Sequence, residues 1–185
     1  TVIIGAGMTG ASVARHVAQL EPERAARTLV LDARGAAGGA TGRNGGMCAP
    51  MDCYDFGSDI ERHGLEEALA ERAMQFETMD FQRRFIEAHG VEADLRFDGY
   101  MVAWLSSGDV ESGERAHETC IEHQDQCGDP YCGLNRALSR PEAIERMQSP
   151  DVEGALFQPA GGGLWAARVV FALLEEAIGV GVTLR

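Results

Sequence analysis

Three observations predict an α/β fold that opens on a Rossmann-like βαβ unit. A β-branched run, Val2-Ile3-Ile4, leads directly into Gly5-Ala6-Gly7-Met8-Thr9-Gly10. An apolar stripe at helical spacing follows, and a second apolar run, Thr28-Leu29-Val30-Leu31, then stops at Asp32. Strand, glycine turn, helix and strand fit within about 32 residues, the size of one βαβ motif.

Each element has a local reason. Val2 to Ile4 has the composition of a parallel strand buried on both faces. Ala11, Val13, Ala14, Val17, Ala18 and Leu20 make the apolar side of a helix of about three turns. Glu21-Pro22-Glu23 closes it, because proline disfavours the helical state of the preceding residue. Residues 35 to 46 hold Gly35, Gly38, Gly39, Gly42, Gly45 and Gly46, too many for a helix interior, so a structured loop is expected. Leu65, Leu69, Ala73, Phe76, Met79, Phe85 and Ile86 give Gly64 to His89 a helical period. Asp94 to Leu105 has strand character with a turn at Asp98-Gly99. Residues 108 to 132 are polar, predicting a helix and then a loop around Gly128-Asp129-Pro130. Ser139 is a helix cap ahead of Arg140-Pro141-Glu142. Ala155-Leu156-Phe157 is a short apolar run, broken by Pro159 to Gly163. Ala166, Val169, Val170, Leu173, Leu174, Ala177 and Ile178 mark one face of a last helix, with Gly179 as its expected cap before a strand.

Composition narrows the function. The 185 residues carry 16 Arg and Lys together, all of them Arg, against 29 Asp and Glu, a formal charge of −13. That balance argues against nucleic acid and against an anionic membrane surface. No apolar run reaches the roughly 18–20 residues of a membrane helix, and no secretory leader is visible; a soluble, cytoplasmic protein is expected. Without lysine, Schiff-base chemistry from these residues is excluded. The chain starts inside one strand-like run and stops inside another, Gly179 to Arg185, so a fragment of a longer protein is expected.

The motif Gly5-Ala6-Gly7-Met8-Thr9-Gly10 matches G-x-G-x-x-G, the dinucleotide fingerprint. The glycines allow a tight turn, close approach of backbone to a pyrophosphate, and close helix–strand packing. The helix start adds free N–H groups and a positive dipole end. In a chain with 23 glycines the match gains its weight from context: a strand before, a helix after, and Asp32 at the end of the next strand, 22 residues beyond Gly10. A carboxylate there accepts from ribose hydroxyls and repels a 2′-phosphate, which disfavours NADP and leaves NAD and FAD open.

The second loop, Gly38-Gly39-Ala40-Thr41-Gly42-Arg43-Asn44-Gly45-Gly46, resembles the G-A-[ST]-G-R-N-G-G stretch of FAD-dependent oxidoreductases of the D-amino-acid oxidase superfamily. Phe97-Asp98-Gly99-Tyr100 is similar to that family's first substrate-domain hairpin. Ala155-Leu156-Phe157, glycines 161 to 163 and Leu164-Trp165-Ala166-Ala167-Arg168-Val169-Val170 resemble the segment that returns to its FAD sheet. The resemblance implies an FAD-binding domain over 1–92 and 160–185, incomplete, and the beginning of an inserted α+β substrate domain over 93–159. It implies FAD contacts from Gly5, Gly7, Met8, Thr9, Gly10, Asp32, Ala33, Arg34, Ala40, Thr41, Arg43, Asn44, Gly45 and Gly46. Thr41 would donate to a phosphate or ribityl oxygen, Arg43 would offset phosphate charge, and Asn44 with Gly45-Gly46 would approach the isoalloxazine. Some relatives carry a flavin-linked His where Asn44 stands, so attachment here would be non-covalent. Asp32 replaces a commoner Glu, and Ala166 a commoner Pro. The implied reaction is oxidation of the C–N bond of an amine or amino acid by hydride transfer to flavin. Family members are about twice this length, so the catalytic residues are unknown and are expected past Arg185, leaving these residues alone inactive.

Two other readings remain open on the residues: an NAD-dependent dehydrogenase, which leaves residues 38–46 unexplained, and a non-catalytic truncated dinucleotide-binding chain. No metal site is expected. His117 and His123 lie about 240° apart around a helix, and Cys120, Cys127 and Cys132 lack the paired spacing of zinc ligands. A Cys127–Cys132 disulfide is left undetermined. Cys48 and Cys53, and the group Met47, Met51, Phe76 and Met79, are assigned to packing. The oligomeric state is not legible.

Overall fold

A computed structural model describes residues 1–50, 53–126 and 134–185, with residues 53–55 described as backbone only. The Cys127–Cys132 pair, Met51 and the turn at Gly128-Asp129-Pro130 fall outside the described residues. The chain divides into two compact units. The first comprises Thr1–Met47, Arg83–Leu95 and Gly163–Arg185; the second comprises Cys48–Gln82 and Arg96–Gly162.

In the first unit β1 (Val2–Ile4), β2 (Leu29–Leu31) and β8 (Thr183–Leu184) form a parallel sheet in the order β1-β2-β8. Ile3 is opposite Val30, and Val30 is opposite Leu184. Helix α1 (Met8–Leu20) follows the glycine turn, the short helix α2 (Pro22–Ala25) starts on its proline, and α7 (Ala166–Val180) leads into β8. Ala11, Ala14 and Ala18 of α1 are buried, as are Val169, Val170, Leu173, Leu174 and Ala177 of α7. Small residues on α1 let its backbone approach α7, and the burial of that alanine face against leucine and valine makes this unit's core.

Several details differ from the sequence-based expectation. Strand β1 is not buried on both faces: Ile4 is 89% exposed and Val2 59%. Both helices lie over the face that carries Ile3 and Val30, and among the described residues of this unit no helix covers the other. Val13 and Leu20 also face outward, because α7 takes only the alanine stripe of α1. Helix α7 runs through Gly179 to Val180 and is capped by Gly181, whose φ of 125° is the left-handed turn that a cap requires. Met47 is 72% exposed and does not belong to the core, whereas Met79 is buried.

The second unit is an antiparallel sheet in the order β4-β6-β5, from Tyr100–Trp104, Gly154–Gln158 and Arg136–Leu138. Helices α3 (Cys53–His63), α4 (Leu65–His89) and α5 (Ser107–Glu122) serve one face, where Leu156 and Trp104 pack with Phe56, Ala68 and Cys120. Helix α6 (Arg140–Met147) serves the other, where Ala155 and Leu138 pack with Ala143 and Val152. The alternation of Ala155 and Leu156 between two cores is the period-2 geometry of a strand. The expected hairpin across Asp98-Gly99 does not form: β4 pairs with the distant β6, Val102 opposite Leu156. Ser139 begins α6, its N–H and hydroxyl both donating to Glu142. Helix α4 carries the chain from the second unit into the first, the Leu95–Arg96 step returns it, and β3 (Met47–Cys48) and β7 (Gly162–Gly163) mark the remaining two crossings.

Candidate functional site

The candidate site lies in the first unit, at the carboxyl ends of β1 and β2. The turn from β1 into α1 is held tightly. A Cβ on Gly10 would overlap the carbonyl oxygen of Gly5, so glycine is required for the strand and helix to meet as they do. Gly7 is the N-cap of α1 and offers no side chain to its first amides. The open start of the helix therefore keeps N–H donors for an outside acceptor, with the positive end of the dipole behind them.

Asp32 fastens this turn from the neighbouring strand. One carboxylate oxygen accepts from Ala6 N–H at 2.8 Å, and the other accepts from Arg34 N–H at 2.9 Å and Gly35 N–H at 3.0 Å. These backbone hydrogen bonds, Ala6 first, hold its carboxyl below the usual carboxylate range. A carboxylate has about four acceptor positions, and three are taken. One remains for a ligand hydroxyl.

Thr41, in a 3-10 turn over Ala40–Gly42, joins the two glycine loops. Its Oγ1 accepts from Met8 N–H at 3.2 Å, and a Cβ on Gly7 would come within 3.2 Å of the same oxygen. Its hydroxyl proton remains to be donated. The loop beyond is self-supporting: Asn44 Nδ2 donates to the carbonyls of Ala40 and Thr41, and its Oδ1 accepts from Gly46 N–H at 2.8 Å. Gly46, at φ 72°, abuts Leu164 so closely that a Cβ would overlap the Leu164 carbonyl oxygen, and Leu164 N–H donates back to Gly46 at 2.8 Å. Thr41, Gly42, Asn44, Gly45, Gly46, Asp94, Leu164, Trp165 and Ala166 enclose a cavity of about 320 Å³, within the size range of small-molecule sites.

The structure therefore brings Gly5, Gly7, Met8, Thr9, Gly10, Asp32 and Thr41 together at one turn, and Thr41, Asn44, Gly45 and Gly46 at the adjoining cavity. Arg34 lays its guanidinium against Gly39, near enough that a Cβ there would lie 3.2 Å away. Ala33 and Arg43 are exposed and line no part of the cavity; Ala40 serves through its carbonyl, which accepts from Arg43 and Asn44 N–H. Asp94, Leu164, Trp165 and Ala166 were not among the sequence-derived site residues. The last three stand in the segment Leu164–Val170, whose composition signals a helix start. Asp94 has no periodic signal and enters only through the fold. Among the described residues no group of three or more His, Cys, Asp or Glu is placed to hold a metal, and no helix is long and apolar enough to cross a membrane.

Comparison with known proteins places the chain in a family. A family model described as FAD dependent oxidoreductase matches residues 1–185. Gamma-glutamylputrescine oxidoreductase of Escherichia coli (strain K12) is 29% identical over 161 residues, covering 86% of this chain and 35% of the relative. The chain thus spans about a third of that protein's length. Among solved structures, glycine oxidase from Geobacillus kaustophilus superposes with a TM-score of 0.69 at 20% identity, over 100% of this chain and 45% of that one. Iminodiacetate oxidase from Chelativorans sp. BNC1 does so at 0.68 and 24% identity, over 100% and 46%. At these identities the two structures establish the fold.

Proposed function

Because the chain belongs to the FAD-dependent oxidoreductase family, we propose that its first unit holds FAD, in a full-length enzyme that oxidises the C–N bond of an amine or amino acid. The supporting observation is the Thr41 junction, at which one residue both accepts from the Met8 N–H of the glycine turn and lines the 320 Å³ cavity. Residues Gly5, Gly7, Met8, Thr9 and Gly10 hold the pyrophosphate with backbone amides and the start of α1. Asp32, with its one unspent acceptor position, takes a single adenosine ribose hydroxyl, beside Ala33 and Arg34. Thr41 donates to the phosphate or ribityl chain. Ala40, Asn44, Gly45 and Gly46 shape the loop along the flavin, and Arg43 adds positive charge nearby. Asn44 has no nucleophile and its amide is consumed within the loop, so attachment there is non-covalent.

When bound, FAD supplies the two-electron acceptor for hydride leaving the carbon attached to nitrogen. The protein's residues bind and orient it and exclude water. The relatives' names, gamma-glutamylputrescine, glycine and iminodiacetate, are those of amines and amino acids, which supports the substrate class. We assign the substrate side to the second unit and the activity to a full-length protein rather than to residues 1–185 alone. Free buried thiols at Cys48 and Cys120 support a cytoplasmic location.

The test is a visible spectrum of the purified full-length protein. A flavin spectrum with FAD released on denaturation is expected, and replacement of Thr41 and Asn44 should abolish it. A colourless, folded protein that rejects FAD and binds NAD would overturn the proposal.

A further inference from the structure

Asp94 is the one ionisable side chain among the nine residues that line the cavity of the first unit. The polar side chains beside it make hydrogen bonds within the protein, with only the Thr41 hydroxyl proton left to donate. The amide of Asn44 closes its own loop, and the Thr41 oxygen accepts from Met8. The Asp94 carboxylate makes no hydrogen bond or ion pair with the described residues. Its backbone is also unusual. At φ 48° it occupies the left-handed region, which aspartate tolerates better than most side chains but which still carries a local cost.

That conformation is pinned on the N-terminal side. Ala93 N–H donates to the Val91 carbonyl at 2.8 Å, and the Ala93 carbonyl accepts from Trp165 N–H at 2.6 Å, fixing the loop to the segment that starts α7. The fold thus holds an exposed carboxylate at the rim of the cavity on a left-handed backbone, and none of the described residues pairs with it. Residues kept in such conformations concentrate at ligand sites.

We propose that Asp94 is a cofactor-facing carboxylate: it accepts a hydrogen bond from an N–H or O–H of the flavin portion, and its fixed charge makes reduction of the bound flavin less favourable. This rests on the cavity being the flavin site, as proposed above. The physical basis is Coulombic. A fixed negative charge opposes the arrival of electrons nearby, and does so more strongly in a cavity from which ligand binding displaces water. The hydrogen bond adds affinity, because bonds to charged groups are stronger than neutral ones.

The experiment uses the full-length protein loaded with FAD. Asp94→Asn keeps the shape and the tolerance of a left-handed backbone and removes only the charge. FAD should stay bound, and the flavin midpoint potential, measured by dye-equilibrated reduction, should shift positive. Asp94→Gly relaxes the backbone and deletes the acceptor; its FAD dissociation constant, read from flavin fluorescence, should rise about tenfold. Asp94→Glu retains the charge and should keep the potential of the wild type. An Asp94→Asn protein with unchanged potential and affinity overturns the proposal, as does an Asp94→Glu protein whose potential moves with that of Asp94→Asn. Wild-type protein that takes up no FAD overturns the reading of the cavity, and this proposal with it.

Discussion

Asp32 clasps the turn with its carboxylate, and the ribose contact proposed for it is a second job for the same group. Its hydrogen bonds to Ala6, Arg34 and Gly35 depress its ionisation, so the stability it confers is present above the unfolded carboxyl value of about 3.9 and is lost as pH falls through the lower folded value. Asp32→Asn should flatten the acid side of a plot of urea midpoint against pH and should weaken adenosine binding at neutral pH; an unchanged acid limb would contradict the clasp. The glycines divide in the same way. Gly10→Ala drives a methyl into the backbone of Gly5 and should cost about 3 kcal/mol in chemical denaturation. Gly7→Ala meets only the Thr41 hydroxyl, so stability should change by under about 1 kcal/mol while FAD affinity falls. The sequence made both glycines and Asp32 visible as a dinucleotide signature. It did not show that three of the roughly four acceptor positions of Asp32 serve the protein's own turns, because backbone amides leave no mark in residue identity.

Among the elements, α7 is the one on which the first unit turns. Its buried face was legible from the 3.6-residue period, since Val169, Val170, Leu173, Leu174 and Ala177 repeat without interruption. Its end was not, because Gly179 and Gly181 both suit a cap and only the docking of β8 beside β2 selects the later one. Leu173→Ala should destabilise the protein by about 3 kcal/mol in denaturant titration, since the residue is fully enclosed. Glu176, on the same helix, pairs with Arg15 of α1 and with His89 of α4 at 3.0 Å. Burial pushes its carboxyl up, but the hydrogen bonds from Arg15 and His89 outweigh this and hold it below the ordinary glutamate range. Its contribution is therefore complete above about pH 4.3 and is lost as pH drops through the lowered value. Glu176→Gln should lose stability near neutral pH relative to wild type and converge with it in acid, by thermal denaturation; parallel curves would exclude the linkage. Arg15 itself, placed on a helix of alanines and also lying over the Phe85 ring at 4.9 Å, could not be read as buried from sequence, where arginine signals solvent.

For the whole molecule, the residues proposed to hold the cofactor come from the three separated stretches of one unit, so the FAD footprint should be confined there. Hydrogen exchange of the full-length protein should slow on FAD binding at residues 5–10, 32–46, 93–95 and 163–166, and remain unchanged in β4, β5 and β6. Protection spread evenly over the β4-β6-β5 sheet would contradict the assignment. The discontinuity of the first unit also bears on biosynthesis. Strand β2 is complete at residue 31, yet its partner β8 begins at residue 183, about 150 residues later. At ribosomal rates of roughly 5–20 residues per second, the open edge of β2 and the alanine face of α1 wait on the order of ten seconds for β8 and α7. The intervening unit has every one of its strands in hand before that moment. The first strands made are therefore among the last to be enclosed.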